Sequence, residues 1–353
     1  MSKVLMKGNE AVGAAAIKAG CNYFFGYPIT PQNEIPEFMA RELPKVGGVF
    51  LQAESEIAAI NMVYGAAGAG ARVMTSSSSP GIALKQEGIS YIAGAELPCV
   101  IVNMVRGGPG LGGIQPSQSD YFQATRGGGN GDYRHLVYAP ASIQEAVDLV
   151  MEAFEVADYY RNPVLVLGDG MIGQMMEPVE FKEPKKRDLP PKDWATTGTK
   201  GERKPNVINS LYIDPKPLED HNLKLEAKYA KMKQDEVRYE DYNLEDAEVV
   251  IVAYGTTSRI AKNAIAKCAE EGIKVGLIRP ITLWPFPDAA FDKISDKTKA
   301  VLTVEMSTGQ MIDDVKIAVN GRKPVHFYGR TGGMVPTPNA IADEIKKIVG
   351  GDK

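Results

Sequence analysis

Long apolar runs are missing from this 353-residue chain. The most apolar stretch, Pro98 to Val105, falls far short of the roughly 20 residues that cross a bilayer as a helix. No membrane span is expected. Cysteine is scarce, with three residues in all, Cys21, Cys99 and Cys268. They lie far apart and form no C-x-x-C pair, so an iron–sulfur cluster or zinc site is expected only on another chain. Histidine is equally sparse. His135, His221 and His326 show no metal-ligand spacing and no neighbouring nucleophile pattern, and surface or strand-end roles are expected for them. No metal site is predicted. Neither sign of charge dominates: 40 Lys+Arg stand against 44 Asp+Glu, a net charge of −4, and no basic face is dense enough for a phosphate backbone. This argues against nucleic acid as a partner. Near the N-terminus, Lys3, Lys7 and Glu10 precede an Ala-rich run broken by Lys18, a helix pattern rather than a signal peptide. A cytoplasmic protein is expected.

What the chain does have is alternation. From Asn22 to about Gly170, short β-rich runs alternate with helical patterns, the signature of a parallel sheet covered on both faces. Six strands are predicted: Tyr23–Phe25, Val49–Gln52, Arg72–Thr75, Cys99–Val105, Leu136–Tyr138 and Val164–Leu167. Thr30-Pro31 looks like a cap followed by a first-turn proline, and Ser142 with Glu145 like a capping box. The first unit is assigned residues 1–176. Residues 177–246 carry Lys182-Glu-Pro-Lys-Lys-Arg-Asp188, Pro190-Pro191 and a charged helical run from Glu219 to Asp246. They read as an extended connector, with Trp194, Leu211, Tyr212 and Ile213 as apolar anchors. Alternation resumes over 247–353, with strands at Val249–Tyr254, Val275–Arg279, Ala300–Val304 and Val325–Tyr328 and a last helix opened by Thr337-Pro338. The expected class is α/β, a parallel-sheet domain followed by a smaller α/β domain.

Four strand ends carry chemistry. Gly26-Tyr27-Pro28-Ile29-Thr30-Pro31 offers a hydroxyl and helix-terminal N–H groups where open parallel sheets bind ligands, although a plain helix cap would explain it as well. Glu54 and Glu56 stand between the second strand and its helix, where acids ordinarily just complement the dipole. The small residues from Gly65 to Gly70 leave the far end of that helix slender enough for close packing. Thr75-Ser76-Ser77-Ser78-Ser79-Pro80-Gly81 supplies hydroxyls and N–H groups, and Arg106 opens the run Gly107-Gly108-Pro109-Gly110-Leu111-Gly112-Gly113 with a carboxylate-binding guanidinium. Gly108 to Gly113 fits G-x-G-x-x-G, but Gln115-Pro116-Ser117 follows where a helix should start, so a substrate-side loop is expected instead of a nicotinamide site.

Taken in order, Tyr-Pro-Ile-Thr-Pro, Glu-Ser-Glu-Ile-Ala-Ala, Thr-Ser-Ser-Ser-Ser-Pro-Gly and Arg-Gly-Gly-Pro-Gly resemble the α subunit of the thiamine diphosphate-dependent 2-oxoacid:ferredoxin oxidoreductases. Arg279-Pro-Ile-Thr-Leu-Trp-Pro-Phe-Pro287, Glu305 with Gly309-Gln310, and Gly329-Arg-Thr-Gly-Gly333 resemble that family's transketolase-C-like domain. The match covers nearly the whole chain and is most like the branched-chain (3-methyl-2-oxobutanoate) type, with 2-oxoglutarate and pyruvate enzymes as close relatives. The resemblance implies that the first domain is a pyrimidine-binding domain, with Glu56 on N1′ of the cofactor's aminopyrimidine. That carboxylate would favour the imino form, whose own nitrogen removes the C2 proton. Residues two apart on a helix point about 200° apart, so Glu54 should not share the role. Tyr27, Pro28, Ser78, Pro80 and Gly81 are implied as further cofactor contacts, and Thr30 and Arg106 as the holders of the 2-oxo acid. Gly168-Asp169-Gly170 is similar to the opening of a diphosphate–magnesium motif, but the Asn-Asn that should follow is absent, so a strand-end turn is expected. Diphosphate and Mg²⁺ then belong to a partner β subunit. The resemblance also implies γ and, in some assemblies, δ subunits, 4Fe-4S clusters on partners only, coenzyme A as acyl acceptor, ferredoxin as electron acceptor and an anaerobic metabolism. A non-catalytic scaffold subunit is the alternative, and retention of Thr30, Glu56 and Arg106 argues against it.

Overall fold

A computed structural model describes residues 3–350. In chain order the first part runs β1 (Val4–Lys7), α1 (Gly8–Lys18), β2 (Tyr23–Gly26), α2 (Glu34–Glu42), β3 (Val49–Gln52), α3 (Glu56–Gly68), β4 (Val73–Ser77), α4 (Ser79–Gly94) and β5 (Cys99–Val105). It continues with α5 (Tyr121–Arg126), β6 (Leu136–Tyr138), α6 (Ile143–Tyr160), β7 (Pro163–Asp169), α7 (Gly170–Gln174) and β8 (Met176–Val179). The second part holds α8 (Pro215–Asp235), β9 (Tyr239–Tyr242), β10 (Val249–Val252), α9 (Gly255–Glu270), β11 (Val275–Pro280), β12 (Thr282–Trp284), β13 (Ala300–Glu305), α10 (Met311–Val319), β14 (Val325–Gly329) and α11 (Pro338–Gly350). Among the described residues no helix is long and apolar enough to cross a membrane.

The larger sheet has seven strands in the order β12-β6-β7-β5-β4-β2-β3. All its pairs are parallel except β12 with β6. β5 and β7 are buried along their whole length, as expected of strands covered on both faces. From β2 the chain steps outward to β3 and then back across to β4, so the carboxyl ends of β2 and β4 flank a topological switch point, where open α/β sheets leave a crevice. The smaller sheet runs β14-β13-β10-β11-β9, with β9 antiparallel.

Several elements differ from the sequence expectations. β4 continues to Ser77, pairing Ser76 with Val102 and Ser77 with Asn103, so two of the expected loop hydroxyls are buried strand residues. The helix expected at Pro31 begins only at Glu34. Before it, the turn at the cis Thr30–Pro31 bond is pinned by Asn9 Nδ2 and Gln174 Nε2, which donate to the Pro31 carbonyl at 2.7 and 2.9 Å. The charged run expected to be helical to Asp246 stops at Asp235, and β9 then joins the smaller sheet. Of the connector's anchors, Trp194 lies under the Arg161 guanidinium and Tyr212 stacks on His221, but Leu211 and Ile213 are 68% and 84% exposed. The slender end of α3 is met by the connector itself: Thr196 N donates to Gly68 O at 2.9 Å, and Lys192 Nζ to Gly70 O at 3.0 Å.

Two expected caps are present. Ser142 Oγ accepts from Glu145 N, and Thr337 Oγ1 from Ala340 N. The Glu145 carboxylate, however, turns to Ala141 N and to Arg279, whose Nη1 and Nη2 each donate at 2.8 Å, and so ties the two parts together. Glu305 is fully buried because it caps α10. It accepts from Ser307 Oγ and from the main-chain N–H groups of Gln310, Met311 and Ile312. Gln310 in turn bonds Ser119 O and Phe122 N beside α5.

His135 sits at the start of β6, and burial drives its imidazole from the usual 6.5 down to about 4. The folded value lies below the free one, so the stability that His135 allows is intact above about pH 6.5 and is lost as pH falls toward 4, by about 3 kcal/mol at most. Denaturant unfolding of wild type and His135→Leu should therefore diverge in this window, with the wild type losing more stability on acidification. Parallel pH dependences would contradict this.

Candidate active site

The crevice at the switch point is walled by three segments. Ser55 caps α3 by accepting from Ala58 N, which makes Glu56 the first helical residue. Glu54 lies before the cap, outside the helix, and is exposed. The two acids are thus separated by the cap itself, and the 200° helical argument does not describe them. Glu56 is only 7% exposed, and among the described residues its carboxylate has no hydrogen-bond partner. A plain dipole complement would stay solvated.

Opposite stands the start of α4. Gly81 belongs there because a Cβ would come within 2.1 Å of Ser77 Oγ and 2.7 Å of Glu56 Oε1. Only glycine lets α4 approach the carboxylate so closely. Ser78 is the N-cap of α4 and Pro80 lies in its first turn, but the Ser78 side chain makes no cap hydrogen bond. Ser77 Oγ and Ser78 Oγ are both buried without a partner. Buried hydroxyls usually find one, so two orphans beside an unpartnered carboxylate mark polar groups awaiting a ligand.

The third wall is Arg106 at the end of β5. Its Nη1 donates to Thr30 O at 2.9 Å and its Nη2 to Leu111 O at 3.0 Å, while Nε is buried and unpartnered. Thr30 and Arg106 are thereby brought together, with Thr30 Oγ1 accepting from Asn33 Nδ2. The glycine loop doubles back through a bridge between Arg106 and Pro116, and Gly113 N reaches Gly107 O at 2.8 Å. No helix starts there; the next begins at Tyr121. Beside Thr30 a cleft of about 580 Å³ runs past Pro31, Asn33, Gln115 and Met171. Tyr27 and Pro28 are exposed on the rim.

Sequence reasoning missed four polar side chains of this wall. Gln32 bonds the Ser76 hydroxyl. Asn103 accepts from Ser79 N at 3.1 Å and donates to Asp120 Oδ2 at 2.9 Å. Burial pushes the Asp120 carboxyl up against those bonds. The fourth, Lys85, had a legible signal: it occupies the stripe Ile82-Lys85-Gln86-Ile89 that faces the core of α4. Asp169, at the end of β7, caps α7: its Oδ1 accepts from Met171 N and Ile172 N. Cys21, Cys99 and Cys268 are buried singly, and burial pushes the first two thiols up to about 12.

A carboxylate only 7% exposed beside two orphaned buried hydroxyls could receive the polar edge of a cofactor ring. Comparison with known proteins concerns the chain as a whole. Residues 14–251 match the family described as "Pyruvate flavodoxin/ferredoxin oxidoreductase, thiamine diP-bdg", and residues 247–341 match "Pyruvate:ferredoxin oxidoreductase core domain II". The chain is 51% identical over 350 residues to the ketoisovalerate oxidoreductase subunit VorB of Methanothermobacter thermautotrophicus, covering 99% of each. It is 39% identical to the 2-oxoglutarate synthase subunit KorA of Methanocaldococcus jannaschii, over 97% of this chain and 98% of that one. A solved 2-oxoglutarate:ferredoxin oxidoreductase from Magnetococcus marinus, with 2-oxoglutarate, coenzyme A and succinyl-CoA bound, superposes with a TM-score of 0.88 at 28% identity. That alignment covers 99% of this chain and 65% of the solved one.

Proposed function

The chain belongs to the thiamine diphosphate-dependent pyruvate flavodoxin/ferredoxin oxidoreductase family, and from that premise we propose that it is the α subunit of a branched-chain 2-oxoacid:ferredoxin oxidoreductase. Such an enzyme decarboxylates 3-methyl-2-oxobutanoate oxidatively, passing the acyl group to coenzyme A and two electrons, singly, to ferredoxin. The observation that carries the site is the buried, unpartnered Glu56 carboxylate beside the orphaned hydroxyls of Ser77 and Ser78. The identity with VorB supports the choice of substrate.

When bound, thiamine diphosphate supplies the nucleophilic carbon and the electron sink for loss of CO2. Glu56 holds a proton at pyrimidine N1′, and Gly81 leaves it the room to do so. Ser78 and Pro80 close the inner side of the pocket while Tyr27 and Pro28 form its rim. Arg106 and Thr30 orient the 2-oxo acid, with the guanidinium Nε still free to donate to a carboxylate. Residues 1–176, with β12 as an added edge, form the pyrimidine-binding unit, 177–246 the connector, which lends β9 to the smaller sheet, and 247–353 the transketolase-C-like unit. Diphosphate and Mg²⁺ are held by a β subunit, because Asp169 is spent as a helix cap and no Asn-Asn follows it. The 4Fe-4S clusters lie on partner subunits, since no two cysteines of this chain are near in sequence. The assembly works in the cytoplasm.

The test is to coexpress the neighbouring subunits and measure coenzyme A-dependent reduction of a viologen dye with 3-methyl-2-oxobutanoate, 2-oxoglutarate and pyruvate in parallel. The branched-chain acid should give the highest kcat/KM, and a preference for 2-oxoglutarate would overturn the substrate assignment. In the same assay Gly81→Ala should lower turnover at least about tenfold, because overpacking of about 1–3 kcal/mol is relieved by displacing Glu56. Unchanged turnover would show that α4 does not confine the carboxylate.

A further inference from the structure

Lys85 is fully buried in the wall of this site, and the chemistry above leaves it unused. Its Nζ donates to Thr75 Oγ1 at 2.7 Å, a neutral partner. Among the described residues no carboxylate lies within ion-pair distance of it. The acids on the surrounding elements are otherwise engaged: Asp120 with Asn103 at 2.9 Å, and Glu87, on α4 itself, with the Tyr91 hydroxyl at 2.7 Å on the exposed face. Glu56 on α3 remains. Gly81, one turn before Lys85 on the buried face of α4, lies where a Cβ would fall 2.7 Å from Glu56 Oε1, so the carboxylate sits against the stretch of α4 that carries Lys85. Burial pulls the Lys85 amine down to about 7, and Glu56 is the charge that opposes this.

Each group is costly alone. A desolvated ammonium gives its proton away unless an opposite charge holds it, and the field between the two favours the charged form of both. We propose that Lys85 is a positioning residue for Glu56: its ammonium is the internal counter-charge that keeps the Glu56 carboxylate ionised, and so sets how firmly Glu56 holds a proton against the cofactor's N1′. This rests on the assignment of Glu56 to the aminopyrimidine. The pairing of Lys85 with Glu56, by contrast, can be read without cofactor.

The experiment uses the assembled complex stripped of thiamine diphosphate, with the Glu56 carboxyl band identified by isotope-edited infrared difference against Glu56→Gln. Just below neutral pH the wild type should show an ionised carboxylate, and Lys85→Met and Lys85→Gln a protonated one. On reloading with thiamine diphosphate, C2 proton exchange in Lys85→Met should slow at least about tenfold, with its pH profile displaced upward by about a unit or more. An ionised band in both variants, or slower exchange with an unmoved profile, would reduce Lys85 to a packing residue. Should neither variant assemble, ¹⁵N-lysine titration of the wild type and Glu56→Gln decides the matter. The Lys85 amine should titrate lower once Glu56 is neutralised, and an unmoved titration overturns the proposal. A responsive band in a complex that binds no thiamine diphosphate would sink the cofactor assignment and leave the pairing standing.

Discussion

Glu56→Gln in the assembled complex is expected to cut coenzyme A-dependent turnover at least about a hundredfold while leaving the melting temperature near that of the wild type. Gln keeps the size of the side chain and can still hydrogen-bond, but it cannot hold and return a proton at N1′. Because the carboxylate makes no hydrogen bond within the described chain, its loss leaves no hydrogen-bonding partner stranded, and Lys85, whose amine burial already pulls down to about 7, can shed its proton, so the fold should survive. Glu54→Gln is the internal control. Glu54 is exposed and precedes the Ser55 cap, so its neutralisation should change turnover less than about threefold, within the range of a surface substitution. A larger loss for Glu54→Gln would mean that the carboxylate serving the cofactor had been misplaced by two residues.

Arg106→Lys is the second large effect. The guanidinium spans two carbonyls, Thr30 O and Leu111 O, and still presents a buried, unpartnered Nε. A lysine ammonium is a single point donor on a flexible stem and cannot hold both carbonyls and a carboxylate at once. KM for the 2-oxo acid should rise about ten- to hundredfold, with thiamine diphosphate occupancy unchanged. The opposite outcome, a normal KM with loss of cofactor, would move Arg106 from the substrate to the cofactor.

The parallel core of the larger sheet was legible because its strands are short apolar runs: Cys99–Val105 was predicted to the residue, and Leu136–Tyr138 likewise. Local patterns could not reveal β12. Thr282–Trp284 belongs by sequence to the second part, yet it pairs antiparallel with β6 in the first sheet, a contact between segments distant in the chain. The start of α2 was missed for a similar reason. Thr30-Pro31 has the composition of a helix start, but Asn9 and Gln174, remote in sequence, fasten the turn and delay the helix to Glu34. At the site, strand-end motifs brought Thr30, Glu56, Ser78, Gly81 and Arg106 to notice because each interrupts a regular pattern with unusual chemistry. Lys85 escaped because a single charge within an apolar helical stripe is easily taken for part of the solvated face. The exposed Leu211 and Ile213 erred in the other direction, since an apolar side chain in a charged connector does not by itself have a surface to pack on.

The most direct test of the central claim, that this chain supplies the carboxylate that activates a shared thiamine cofactor, is C2 proton–deuterium exchange of thiamine diphosphate bound to the coexpressed complex, followed by quenched NMR. The wild type and Glu54→Gln should exchange at similar rates, and Glu56→Gln at least about a hundredfold more slowly with the cofactor still bound. Exchange in Glu56→Gln at the wild-type rate would place the activating group elsewhere and contradict the account.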